Sequence, residues 1–111
     1  MARVIWPQLC YHQAMDMQAI EDKYTHMGLA VFHQSDQPGK IYKPHRHGAV
    51  HIYTVKGLAK LKLDNGDWQN VEAGQEIIIQ DNQLHEAVVG PDGWDYIFAT
   101  TAQEARHQGL T

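Results

Sequence analysis

The sequence predicts a small all-β domain of barrel or sandwich type, and three observations carry that prediction. About seven short strand-like runs are separated by turn residues at near-regular intervals. Asn65-Gly66 between two such runs is a strong hairpin signal, because both residues tolerate the positive φ of a type I′ turn. Residues 44–57, PHRHGAVHIYTVKG, place His45, His47 and His51 at odd positions, so in an extended chain all three project from one face. A length of 111 residues fits one domain.

Residues 4–22 show no settled pattern: Pro7 interrupts the first apolar group, and AMDMQAIED fits either a short helix or an irregular arm. Residues 24–34, YTHMGLAVFHQ, read as a strand, followed by a turn containing Asp36, Pro38 and Gly39. His26 and His33 fall on opposite faces of that strand and are not expected as ligands. The histidine strand follows, and its odd-numbered phase continues through Tyr53, Val55, Ala59 and Leu63, with Lys60 and Lys62 turned to solvent. Ile77, Ile78 and Ile79 in succession predict a strand buried on both faces. After a turn at Asp81, Asn82 and Gln83, the run HEAVV places His85, Ala87 and Val89 inward and Glu86 outward. Gly90, Pro91, Asp92 and Gly93 read as another turn, and beyond it Trp94, Tyr96, Phe98 and Thr100 share a face. Thr101 and Glu104 have the spacing of a capping box, predicting a short helix from Ala102.

Nine Lys and Arg against thirteen Asp and Glu give a net charge of −4 and a pI near 6.0, with no basic run, which argues against a nucleic-acid partner. The apolar stretches are too short to span a membrane, and the opening MARVIWPQLC lacks the apolar length of a signal peptide, so a cytoplasmic location is expected. The lone Cys10 cannot form an intrachain disulfide and is read as a small packed hydrophobe.

Val50, Ile52 and Val55 make the histidine strand half-buried, where imidazoles need partners, and a strand, turn and return strand bring His85 back against the first three. These residues resemble the two motifs of the cupin superfamily, small metal-binding β-barrels. The first motif reads His-x-His, three or four residues, Glu, six residues, Gly, and is matched by His45, His47 and Gly57; the second runs from a Gly to a His eleven positions on, as from Gly74 to His85. The resemblance covers roughly residues 39–89. Two departures stand out: His51 occupies the Glu position, and five residues rather than six separate it from Gly57. Counting back from Gly57 puts Val50, which cannot bind a metal, in that slot.

The resemblance implies a cupin-type jelly-roll β-barrel: residues 1–23 an N-terminal arm, 24–100 the barrel and 101–111 a tail or short helix. It implies one divalent transition metal ion (Fe, Mn, Zn, Ni or Cu) held by His45, His47 and His85, with His51 as a fourth ligand. It also implies a homodimer, for which the triple-isoleucine strand and an arm carrying Ile5 and Trp6 are the expected contacts. Neutral histidines leave the ion's charge uncompensated, which favours a small chelating organic substrate. The leading reaction is dioxygenase-type oxidation, with Tyr53, Tyr96 or metal-bound hydroxide as base wherever a proton must move. The alternatives are isomerase or lyase chemistry, or a barrel that binds a small ligand or a structural metal without catalysis.

Overall fold

A computed structural model describes residues 17–110. Helix α1 spans residues 17–26. It is followed by strands β1 (Ala30–Asp36), β2 (Ile41–His45), β3 (Val50–Leu63), β4 (Trp68–Glu72), β5 (Glu76–Ile79) and β6 (His85–Thr100), and by helix α2 (Ala102–His107). Ile5, Trp6 and Cys10 lie outside the described residues.

The scaffold is the antiparallel pair of the two longest strands, β3 and β6, which run side by side over nearly their whole length. Residues 50–57 of β3 and 94–100 of β6 are flanked by β5 and β1, whereas residues 59–63 and 85–89 are flanked by β4 and β2. Between these halves the pairing slips twice, at Thr54/Lys56 and at Gly57/Ala59. The β-bulges bend the sheet so that its halves face each other. Val50, Ile52, Ile77, Ile79 and Phe98 of one half then pack on Ala59, Leu61, Val71, Ala87 and Val89 of the other in a single core. Among the described residues the sheet is not closed by hydrogen bonds: β1 and β4 end its path.

The bend corrects three expectations. Gly90 to Gly93 do not reverse the chain; they lie inside the continuous strand β6. The odd-numbered phase does not run through β3: Val50, Ile52 and Thr54 are buried before the bulges, and Ala59 and Leu61 after them. A one-residue slip turns every earlier side chain to the other face, so Tyr53 and Val55 pack instead against Tyr24, Ile97 and Ala99 beneath α1. β5 is not buried on both faces among the described residues, since Ile78 is 43% exposed on a strand that pairs there with β3 alone.

Helix α1 corrects a fourth. Met17, Ile20 and Tyr24 recur at helical spacing and pack on the outer face of the sheet. Gly28, at φ 82, ends the helix in the left-handed region, with Leu29 N donating to Tyr24 O at 3.1 Å. Strand β1 therefore begins at Ala30 rather than Tyr24. The Asn65-Gly66 hairpin is present, but the residue with positive φ is Asp64. The capping box holds: the Thr101 side chain accepts from Glu104 N at 3.0 Å.

A polar clasp fastens α1 to the sheet. The fully buried Tyr24 donates its hydroxyl to Glu76 Oε2, Lys23 Nζ lies 3.4 Å from Glu76 Oε1, and His51 Nδ1 lies 3.7 Å from Oε2. Burial pushes the Glu76 carboxyl up, but Tyr24, Lys23 and His51 outweigh it and hold the group below its ordinary value. A carboxyl lowered by folding stabilises the native state above its unfolded pKa, and that stability is lost as pH falls through the folded pKa. Glu76→Gln is therefore expected to cost about 1 kcal/mol at pH 7 and much less near pH 3. Urea unfolding midpoints of both proteins at the two pH values check this; an equal gap at both would show that the carboxylate charge contributes nothing.

Candidate metal centre and cavity

His45 ends β2 and is the direct cross-strand partner of His85, the first residue of β6. His47 lies in the loop between β2 and β3. That loop is tied to the β5–β6 turn by Asn82 N donating to His47 O at 2.7 Å and by Arg46 Nη1 donating to Asn82 O at 2.9 Å. Gly48 lets α2 close in behind it, since a Cβ there would lie 2.4 Å from Glu104 Oε1. The ring centroids of His85 are 4.2 Å from those of His45 and 4.4 Å from those of His47.

Each ring turns its Nδ1 to a backbone carbonyl: His45 to Lys43 O at 2.5 Å, His47 to Gly48 O at 2.8 Å and His85 to Gln83 O at 2.8 Å. A carbonyl only accepts, so each Nδ1 carries the proton and each Nε2 presents a lone pair. The Nε2 atoms of His47 and His85 are 2.9 Å apart, and one nitrogen from each of the three rings falls within 4.8 Å of the others. Lone pairs this close repel unless a cation lies against them, and bonds of about 2.1 Å to one ion place neighbouring nitrogens roughly 3 Å apart. The donor set fits a divalent transition ion, with the second-sphere carbonyls that orient metal-binding histidines. Burial, reinforced by the neighbouring His45 and His47, holds His85 below its ordinary pKa despite the opposing Gln83 carbonyl, so its ring stays neutral at pH 7.

The other two proposed site residues of β3 are not here. His51 is on the helix side of the strand, its ring 5.3 Å from that of Tyr24, and its buried Nδ1 has no hydrogen-bond partner among the described residues. The expectation of a fourth histidine ligand is thereby corrected, and the count from Gly57, which put Val50 in that slot, gives the face correctly: Val50 lines the cavity. Tyr53, on the same outward face, is corrected as a candidate base. Tyr96 does reach the cavity, but as a donor. Its hydroxyl lies 2.7 Å from Gln34 Oε1 and 3.0 Å from Asp36 Oδ2, and burial, with Tyr42 and Asp36, pushes its pKa far up.

The histidines open on a cavity of about 350 Å³ between the two sheet halves. Its walls include Val50, Ile52, Leu61, Ile79, Trp94 and Phe98. Its polar residues besides histidine, among the described ones, are Gln34, Tyr42, Tyr96 and Gln108, of which the sequence points to Tyr96 alone. Alternation along β1 from Phe32 would have exposed Gln34 as a polar residue at an inward position.

A family model described as an AraC-like ligand binding domain matches residues 28–108. The chain belongs to that family. Solved structures resemble this AraC-like domain in fold. One is an RmlC-like cupin with a double-stranded β-helix fold from Methanocaldococcus jannaschii, at 16% identity and TM-score 0.61, covering 72% of this chain and 75% of that one. Another is a conserved protein of unknown function from Streptococcus pyogenes, at 20% and 0.57, covering 67% and 64%. An oxalate decarboxylase variant from Bacillus subtilis has 19% identity and TM-score 0.59, with 65% of this chain and 20% of that one covered. This chain thus spans less than two thirds of the length of some of the structures it resembles. No curated protein sequence matched. The all-β, cupin-type jelly-roll expectation holds for this AraC-like domain, and so does the cupin resemblance. Among the described residues no helix is long and apolar enough to cross a membrane.

Proposed function

We propose that the protein is a metal-dependent enzyme acting on a small chelating organic molecule, with dioxygenase-type oxidation as the leading reaction. The observation that carries this reading is a set of three converging Nε2 donors at the wall of a mostly apolar cavity. Three protein ligands and an adjoining cavity are the pattern of a catalytic rather than a closed structural site. When bound, a divalent ion supplies Lewis acidity and open coordination positions whose charge three neutral imidazoles leave uncompensated.

The chain's own residues do the rest. The apolar walls exclude water, which strengthens electrostatic interactions inside. The carbonyls of Lys43, Gly48 and Gln83 hold the three rings in the required tautomer. Among the described residues no carboxylate lines the cavity, and Tyr96 is held as a phenol. A dioxygenase places both oxygen atoms of O₂ in the product and needs no separate reductant, whereas the isomerase and lyase alternatives need a proton-transfer base that no side chain of the described lining supplies.

Protein loaded in turn with iron, manganese and copper should consume oxygen in the presence of diketones, thiol carboxylates or phenolic compounds at least about tenfold faster than His45→Ala. The family description favours a second reading, a non-catalytic ligand-binding domain. Tight binding of the same compounds with no turnover by any metal form would decide for it.

A further inference from the structure

We propose that the cavity contains a hydroxyl-reading subsite formed by Gln34 and Tyr96, and that its ligand is a hydroxyl-bearing organic monoanion. The inference rests on the proposed metal site for the anionic head and on a separate hydrogen-bond count for the hydroxyl. Tyr42 donates to Asp36 Oδ2 at 2.7 Å, and Lys40 Nζ lies 3.5 Å from the other oxygen of this carboxylate, whose side chain is 8% exposed. Tyr96 has one proton, and its nearest acceptor is Gln34 Oε1 at 2.7 Å. That bond fixes the Gln34 amide with its oxygen toward Tyr96 and its NH₂ turned away, and this NH₂ has no acceptor among the described residues. The cavity wall here offers an N–H donor beside a phenolic oxygen whose proton is already committed. An alcohol or phenol hydroxyl, which accepts and donates at one atom, satisfies both; a methyl group or halide satisfies neither.

Tyr42 links this subsite to the histidines. Its ring centroid is 6.5 Å from that of His45, and its hydroxyl oxygen is 3.4 Å from that of Tyr96. A single small molecule can therefore touch both. Charge restricts it further: among the described residues no Lys or Arg lines the cavity, and a metal ion at the histidines is what would compensate an anionic group. A second carboxylate or a phosphate would be buried beside Tyr96 and the Asp36 carboxylate without a partner. One chelating anionic head and one neutral hydroxyl are what the wall accepts.

The probes are two pairs of α-keto acids differing by one hydroxyl: hydroxypyruvate against pyruvate, and para-hydroxyphenylpyruvate against phenylpyruvate. Their binding to zinc-loaded protein is measured by calorimetry. In at least one pair the hydroxylated member should bind about tenfold tighter or more. Gln34→Leu, at a partly exposed position, should erase that preference while leaving zinc content and the affinity of the unhydroxylated member unchanged; Tyr96→Phe provides the second variant. Equal affinities in both pairs would overturn the subsite, as would a preference that survives both substitutions. Zinc uptake is measured first. Its failure would sink the metal site and the anionic head together, and the hydroxyl preference is then read on the metal-free protein with a neutral pair, phenol against toluene, whose equal affinities would overturn the subsite.

Discussion

Replacing His85 by alanine is expected to reduce metal content from about one ion per chain to less than about a tenth, while replacing His51 leaves it unchanged. His85 is the buried member of the three, it is paired in the sheet with His45, and its Nε2 lies against that of His47, so its removal opens the group at its centre. Two imidazoles, on a strand end and a loop, then remain, too few to retain a transition ion through gel filtration. The contrast is decisive because His51 is as close in sequence to His47 as a ligand should be, yet it packs on Tyr24 across the sheet. Elemental analysis of untagged protein, reloaded and desalted, gives the answer, with circular dichroism to show that both variants are folded. Loss of metal in His51→Ala, or full retention in His85→Ala, would refute the assigned ligand set.

The same pair of histidines shows what was legible in the sequence. His45, His47 and His85 could be found because their geometry depends on short spacings and one cross-strand pair. His51 could not be placed by alternation, because its face depends on two bulges between it and Ala59, and nothing in YTVKGLA except Gly57 announces an irregular pairing. The useful signal was Gly57, which marks the bend: a count from the bend gives the face, whereas a count from the previous histidine crosses the loop between β2 and β3. Helix α1 was illegible for a different reason. Tyr24 and Thr25 favour strands by local preference, and only the burial of Met17, Ile20 and Tyr24 on Ile97 and Ala99 settles the segment as helical. Gln34 reads only as the end of a strand and Asp36 as turn chemistry before Pro38 and Gly39, and the inward direction of both appears only when Tyr42 and Tyr96 arrive from β2 and β6.

The bend itself yields the second large effect: Gly57→Ala is expected to destabilise the protein by roughly 3–5 kcal/mol, against about 1–2 kcal/mol for Gly74→Ala. Both glycines have positive φ, 79 and 86, so both substitutions incur the cost of a left-handed L-residue. They differ in surroundings. A Cβ on Gly74 would meet nothing within 4 Å, whereas one on Gly57 would fall 2.1 Å from the carbonyl oxygen of Gly93, backbone that cannot swing aside as a side chain can. Gly93, at φ 83, is itself in the left-handed region, so the two long strands cross where neither carries a side chain. Relief of the clash requires the strands to separate at the point that folds one sheet half over the other. Trp94 and Tyr96, which follow in β6, would then shift relative to His85 before it, and the cavity would open along with the core. A loss of this size is a large share of the roughly 5–15 kcal/mol that holds a typical domain together. Urea unfolding followed by tryptophan fluorescence measures both variants, and similar costs for the two would mean that the strand crossing at Gly93 is not as close as the structure shows.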